Sequence, residues 1–309
     1  MTLNELRYIV AVARERHFGH AAAACFVSQP TLSVAVKKLE DELGVSLFER
    51  GAGEVTVTPV GEKIIAQAQR VLEEAGVIKS LASHGKNPLE GPLRLGAIYT
   101  IGPYLLPNLI PVVAERAPGM PLVVEENYTA VLSEQLKQGD LDVIIISLPF
   151  EEPGIVTRPL YDEPFVVLLP AAHPWTQKKS VDLAELADEN VLLLGEGHCF
   201  RDQVLQACPV CLKPSASEDN SMQRALQGSS LETIRYMVAS GVGLTILPCS
   251  AAGAQRFSER LISVRRIKGR PPRRRVALAW RKSFTRPEAV ELLAAAIRDS
   301  GLTCVQAVK

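Results

Sequence analysis

Apolar residues recur at helical spacing at the start of the chain: Leu3, Leu6, Ile9, Val10 and Ala13 form the stripe of a short helix with one face against a core. Short helices continue to about residue 58. One is predicted from about His20 to Phe26. After a brief turn, Ser28 stands ready to cap another helix that carries Pro30 in its first turn. From Val60 to about His84 the pattern lengthens into one helix, with Ile64, Ala68, Val71, Ala75, Ile78 and Ala82 stepping by four and three as a heptad seam. The same residues also suit a helix packed on its own domain. Gly and Pro in HGKNPLEGP, His84 to Pro92, then break the pattern and mark a linker.

From Leu93 the periodicity alternates. LRLGAI, PLVVEENY and VIIISL read as strands, separated by helices in YLLPNLIPVVAERAPG and AVLSEQLKQGDLD. Such alternation predicts an α/β fold with a mostly parallel sheet. Beyond Pro164, FVVLLP and NVLLLG begin a second α/β unit. SSLETIRYMVASGVGLTILP supplies a helix capped by Ser230 and stopped by Gly241, then a strand. RRRVALAWR is a further strand and RPEAVELLAAAIRDSG a closing helix.

Composition narrows the setting. A chain of 309 residues has room for two or three domains. Its 34 basic and 34 acidic residues cancel, so no global charge advertises a polyanion. The apolar N-terminal stretch carries charges and no run of about 18 uncharged apolar residues exists, which excludes a signal peptide and a membrane span. The expected setting is the cytoplasm. Thiols there stay reduced, so clustered cysteines are expected to react or bind metal rather than staple the fold.

Two short helices joined by a turn form a helix-turn-helix. The second offers Gln29, Thr31, Ser33 and Lys37, groups that reach base edges and phosphates in a major groove. EVTVTP, after Arg50, reads as one strand of a small wing. Basic and acidic groups balance over residues 1–50, so charge leaves a helical protein-interaction module open.

The stretch AAAACFVSQPTLSVAVKKLEDELGVSLFER resembles the winged helix-turn-helix of LysR-type transcriptional regulators. The residues that carry the likeness are Ala23, Ala24, Ser28, Gln29, Pro30, Leu32, Ser33, Leu39, Glu40, Leu43, Gly44, Leu47, Phe48 and Arg50. Cys25-Phe26 departs from the pattern, a change expected to alter packing. The resemblance implies a DNA-binding domain over residues 1–58, with Gln29, Pro30, Thr31, Ser33, Lys37 and Arg50 facing double-stranded DNA. It further implies a dimerising linker helix and hinge over residues 59–90. Two Rossmann-like subdomains, similar to periplasmic binding proteins, would follow: one from residues 91–163 and 268–309, the other from 164–267. It also implies a homotetramer built as a dimer of dimers, contact with RNA polymerase, and a ligand site between the subdomains at strand C-termini. No cofactor, no metal and no enzymatic turnover are expected.

GEGHCFRDQVLQACPVC, Gly195 to Cys211, concentrates the chain's thiols. Cys199 follows the predicted strand NVLLL at the start of a helix, where unpaired N–H groups and the helix dipole favour a thiolate. Arg201 and Asp202 stand beside it. Such a thiolate attacks peroxide to give a sulfenic acid that condenses with a second thiol. Other readings remain open. His198, Cys199, Cys208 and Cys211 offer zinc ligand types without the usual paired spacing. Cys208-Pro-Val-Cys211 has a thioredoxin-like spacing without a preceding strand. Small buried fillers are the third.

This stretch, with SSLETIRYMVASGVGLTILP, resembles the hydrogen-peroxide-responsive members of the same family. That likeness implies that Cys199 reacts with peroxide and Cys208 resolves it. His198, Asp202, Thr100 and Thr129 would surround the reacting sulfur, with Arg274 as a nearby cation. Cys211 lies outside the pattern and has no assigned role. If residues 200–207 are helical, the Cα atoms of Cys199 and Cys208 stand roughly 13 Å apart, beyond the ~7 Å a disulfide tolerates. Oxidation would then remodel the fold. Thr100 and Thr129 could instead serve as helix caps, and Cys25, Cys249 and Cys304 as apolar fillers. His84 and His173 are expected at the surface, and the basic run Arg265 to Arg275 as a solvated connection. The rival functions are a regulator answering a small organic inducer and a thiol peroxidase.

Overall fold

The computed structural model describes residues 1–50, 55–84, 87–212, 230–252, 261–302 and 304–308. It forms two compact units, Met1–Gly85 and Lys86–Lys309.

In the first unit, α1 (Leu3–Glu15) opens on a capping box in which the Thr2 hydroxyl accepts the Glu5 N–H and the Glu5 carboxylate accepts the Thr2 N–H. The second helix, α2 (Phe18–Ala24), begins two residues earlier than its apolar pattern predicts. His17 caps it, its Nδ1 accepting from the N–H groups of Gly19 and His20. The third, α3 (Gln29–Leu43), starts where Ser28 caps it, Oγ accepting the Thr31 N–H at 3.3 Å, and stops at Gly44 with φ +70°. Strands β1 (Phe48–Arg50) and β2 (Val55–Val57) pair antiparallel as the wing. Glu40 fixes the turn into it: the buried carboxylate accepts the N–H groups of Leu47 at 2.7 Å and Phe48 at 3.2 Å. The order Leu39-Glu40…Leu47-Phe48 is therefore a core seam with a carboxylate clamp.

The long helix α4 (Pro59–His84) divides its heptad seam. Ala68 is buried and Ile64, Ile65 and Leu72 pack on the core of α1 and α3, while Val71 and Ile78 are exposed. The near end of the seam closes the unit's own core. The far end presents apolar residues to solvent.

In the second unit, β3 (Leu93–Ile98), α5 (Gly102–Arg116), β4 (Leu122–Asn127), α6 (Thr129–Gln138) and β5 (Val143–Leu148) follow the predicted alternation. β3 runs parallel to both β4 and β5. The sheet as a whole is not mostly parallel, because its remaining pairings, one short edge pair aside, are antiparallel. β6 (Ile155–Pro170) and β10 (Arg273–Arg281) pair antiparallel, and β10 also pairs antiparallel with β5. β6 passes from one apolar cluster, at Leu160 and Tyr161, to another that begins at Phe165. The first half of β6 lies with β10 and the short β11 (Gln306–Ala307), while its second half pairs with β8 (Thr245–Pro248) and β9 (Ile262–Ile267). β7 (Ser180–Val181) completes the far edge beside β9.

Apolar side chains sort into two clusters. One gathers β3, α5, β5, β10 and the closing helix Pro287–Arg298. The other gathers Phe165 to Leu169, α7 (Cys199–Ala207), α8 (Leu231–Ala239) and β8. NVLLLG, read as a strand, makes only isolated bridges, at Val191, which pairs with Leu244, and at Leu194. Leu192 and Leu194 are buried all the same, so their apolar run reflects burial of irregular chain rather than a ladder.

Candidate functional site

β3 and β4 end side by side, with Ile98 in register with Asn127. The residues just beyond them, Tyr99-Thr100 and Tyr128-Thr129, therefore project from adjacent strand C-termini, the place where open α/β sheets hold ligands. The start of α7 faces these turns. Together Ile98, Tyr99, Thr100, Asn127, Tyr128, Thr129, Gly197, His198 and Cys199 enclose a cavity of about 10 Å³, the room that a water-sized molecule needs.

Local chemistry explains why the chain takes this shape. Gly197 has φ +90°, and a Cβ there would lie 3.3 Å from the Tyr128 ring, so glycine alone lets the loop approach. His198 follows as the residue that precedes α7. It is buried, with its ring centroid 4.7 Å from that of Tyr128 and 6.0 Å from that of Tyr99. Cys199 is a free cysteine and the first residue of α7, packed against the first core. Its neighbour Phe200 turns the opposite way, into the second core against Phe165.

Arg274 underlies the cavity floor. Its guanidinium donates to Thr100 Oγ1 and to the Thr100 carbonyl, each at 2.9 Å, and Nε donates to Glu163 Oε2 at 2.7 Å. It also stacks on Phe200, 5.4 Å from the ring centre. Glu163 is completely buried. Within the basic run, Arg274 is thus a core residue and not part of a solvated connection. Arg275, the next residue, turns outward to Asp162.

The other sequence-derived site residues fall as follows. Neither threonine caps a helix through its side chain: Thr100 is held by Arg274, and the buried Thr129 Oγ1 has no hydrogen-bond partner among the described residues. Asp202 sits exposed on the first turn of α7, outside the cavity lining. Gln203, missed by sequence reasoning, donates to Ser147 Oγ at 2.8 Å and ties α7 to β5. Tyr104 likewise reaches across, its hydroxyl donating to Glu232 at 2.8 Å, and burial beside that carboxylate pushes its pKa upward. Such polar ties between apolar helices leave no periodic signal.

The thiols pair otherwise than the peroxide-responsive resemblance implies. Cys208, buried in the second core, is disulfide-bonded to Cys211, their Cα atoms 5.7 Å apart. Cys199 and Cys208 stand at opposite ends of α7 as the helical reading implies, and this state leaves Cys199 unbonded. Cys249 is bonded to Cys304, so neither is an inert filler. His173 is not merely solvated: it caps the 3-10 turn at Pro174–Gln177 and stacks on Trp175. The side chain of His84 lies outside the described residues.

In the first unit Gln29, Pro30, Thr31 and Lys37 are exposed and Ser33 half-buried along α3. Thr31 Oγ1 shares a 2.7 Å hydrogen bond with Ser28, and Lys37 pairs with Asp41 at 3.0 Å. The Arg50 side chain lies outside the described residues. Phe26 does not repack anything: it is 96% exposed at φ +55° in the turn, while Cys25 takes the core contact.

Comparison with known proteins accords with this architecture. Residues 3–62 match the bacterial regulatory helix-turn-helix family of lysR type, and residues 86–301 match the LysR substrate binding domain. The chain belongs to the LysR family of transcriptional regulators. Among curated relatives it is 41% identical over 298 residues to the DNA-binding transcriptional dual regulator OxyR of Escherichia coli, covering 96% of this chain and 95% of that one. It is 40% identical to a probable hydrogen peroxide-inducible genes activator of Mycobacterium avium, covering 96% of this chain and 94% of that one. Among solved structures, a full-length cysteine-to-aspartate OxyR from Pseudomonas aeruginosa matches with TM-score 0.72 at 57% identity, covering 96% of this chain and 95% of that one. A hydrogen-peroxide-bound cysteine mutant of Corynebacterium glutamicum OxyR matches with TM-score 0.61 at 35% identity, covering 97% of this chain and 92% of that one.

Proposed function

We propose that this chain is a peroxide-responsive transcriptional regulator in which Cys199 is the reacting thiol and Cys208 its resolving partner. The carrying observation is the placement of free Cys199 on the wall of a ~10 Å³ cavity that also holds the hydroxyls of Thr100 and Thr129. Hydrogen peroxide is little larger than the water such a space suits. Organic inducers need pockets of several hundred Å³, which disfavours that alternative.

In this reading the Cys199 sulfur attacks one peroxide oxygen, the O–O bond breaks, and the second oxygen leaves as water after taking a proton. The sulfur becomes a sulfenic acid. Thr129 Oγ1, unpartnered and buried, is free to hold one peroxide oxygen. Thr100 Oγ1, accepting from Arg274, keeps its own proton to donate to the other. The Cys208 thiol then attacks the sulfenic sulfur, an S–S bond forms and a second water leaves. Since α7 separates the two by roughly 13 Å at ~1.5 Å per residue, the helix must open for this step. The Gln203–Ser147 and Arg274–Phe200 contacts would move with it.

The Cys208–Cys211 bond excludes this resolution, because a sulfur carries one disulfide at a time. Resolution by Cys208 requires that local bond to be reduced, or a small-molecule thiol to attack the Cys211 sulfur and release Cys208 as the leaving thiolate. The reading extends to DNA contact through Gln29, Pro30, Thr31, Ser33, Lys37 and Arg50, oligomerisation to a tetramer through α4, contact with RNA polymerase, and a cytoplasmic setting; the exposure of Gln29, Pro30, Thr31 and Lys37 along α3 and of Val71 and Ile78 on α4 is what supports its first two parts. Residues 1–58, 59–90, 91–163 with 268–309, and 164–267 are its proposed domains. Free-thiol counting before and after one equivalent of peroxide, with DNA footprinting in parallel, tests the reading. It predicts loss of Cys199 and a shifted footprint, and an unchanged footprint response in Cys199→Ser would overturn it.

A further inference from the structure

Cys249 and Cys304 take no part in the reading above. Cys249 opens the short helix α9 (Cys249–Ala252), whose Ala251 lies in the second core. Cys304 lies just before β11, between Leu302 and Val305, which pack against the first core. The two are 55 residues apart in sequence, with Cα atoms 6.1 Å apart, within the range a disulfide spans without moving the backbone. Their bond therefore crosses from one core to the other.

The pair also touches the cavity's support. Cys249 Sγ lies 4.0 Å from Glu163 Oε1. That oxygen accepts the Ser250 N–H at 2.9 Å, and the other carboxylate oxygen accepts from Arg274, which in turn holds Thr100. A route of direct contacts thus runs from the sulfur pair to the cavity wall. Glu163, Cys249 and Cys304 place their ligand atoms within 4.8 Å of one another, a spacing a metal ion could use. Glu163 is already engaged by Arg274 and Ser250, however, which leaves two thiolates where zinc takes four ligands. The geometry favours sulfur–sulfur chemistry.

We propose that Cys249 and Cys304 are a second redox-modification site, cycling between disulfide and dithiol, that clamps the two cores and tunes the response of the Cys199 cavity. Oxidation by hydrogen peroxide balances as two thiols plus one peroxide giving one S–S bond and two waters. One thiol sulfur takes an oxygen as the O–O bond breaks, and the second thiol displaces it as water. A low-molecular-weight disulfide performs the same two-electron oxidation by exchange, releasing two thiols. On reduction Cys249 regains an S–H beside Glu163, a donor directed at the carboxylate that orients Arg274, and the C-terminal strand is released from α9.

The test is peptide mapping of the full-length chain carrying Cys199→Ser, so that the cavity thiol is silent. The protein is held in excess dithiothreitol, or treated with hydrogen peroxide or oxidised glutathione, then alkylated, digested and weighed. The expected result is a Cys249–Cys304 linked peptide after either oxidant and two alkylated cysteines after reduction. In the chain with Cys199 intact, a Cys249→Ser, Cys304→Ser double variant is expected to shift the peroxide dose for half-maximal footprint change several-fold. Full alkylation of both cysteines after oxidation would overturn the proposal, as would stoichiometric zinc bound by the reduced protein or an unchanged dose in the double variant. Because the mapping uses a chain without the Cys199 thiol, it decides this site whether or not Cys199 is the sensor.

Discussion

Arg274 grips Thr100 twice, through the side-chain oxygen and through the carbonyl, each at 2.9 Å, while its Nε is committed to Glu163. One buried cation thereby fixes a cavity hydroxyl and neutralises a buried carboxylate. Removing it should cost both. Arg274→Ala leaves the buried Glu163 carboxylate without its ion-pair partner, held only by the Ser250 N–H, and is expected to lower stability by about 3–5 kcal/mol, read from urea unfolding. Arg274→Lys keeps a charge but not the fork. It should fold and react with peroxide about tenfold more slowly, measured by the rate of Cys199 thiol loss.

Thr129→Val tests whether this hydroxyl binds peroxide. The Thr129 hydroxyl is buried and has no hydrogen-bond partner among the described residues, so its removal should change stability by less than about 1 kcal/mol. Peroxide reactivity should nonetheless fall about tenfold. Equal reactivity of the variant and the parent in stopped-flow oxidation would refute a peroxide-binding role for this residue.

Cys211→Ser tests whether the local bond holds back the resolving thiol. Freed of its partner at a Cα separation of 5.7 Å, Cys208 should capture the Cys199 sulfenic acid more completely. Trapping with a sulfenic-acid reagent should then give less adduct at Cys199 than in the parent. Cys208→Ser should give more.

Acid stability should report the Asp162–Arg275 pair. Hydrogen bonds from Arg275 Nε at 2.7 Å and Nη2 at 2.9 Å hold the Asp162 carboxyl below its usual range. A carboxyl depressed in the folded state stabilises it above the unfolded pKa of about 3.9 and loses that contribution as pH falls through the folded value. Asp162→Asn should therefore flatten the loss of stability below about pH 4 and leave the fold intact. Urea midpoints at pH 7 and pH 3 measure it.

Much of this was legible from residue order. Ser28 and Ser230 cap the helices their positions imply, and the alternation from Leu93 to Leu148 is the observed strand and helix sequence. What escaped is what periodicity cannot carry. NVLLLG looked like a strand because burial, not pairing, made it apolar. The antiparallel course of β6 and β10 depends on partners over a hundred residues apart in sequence. The burial of Arg274 within a run of surface-like basic residues needed the position of Glu163. Cys249 and Cys304 meet only because β11 returns along β6.

Cys208 has one sulfur and two claimants. If Cys208 resolves as proposed, a chain in which Cys211 already holds it would enter a burst of peroxide with Cys199 able to react and nothing to answer it, whereas a reduced chain would respond at once. On the proposed mechanism, past exposure to oxidants and reductants would thus be written into the molecule before the next signal arrives, as a record kept in a single covalent bond at the end of one short helix.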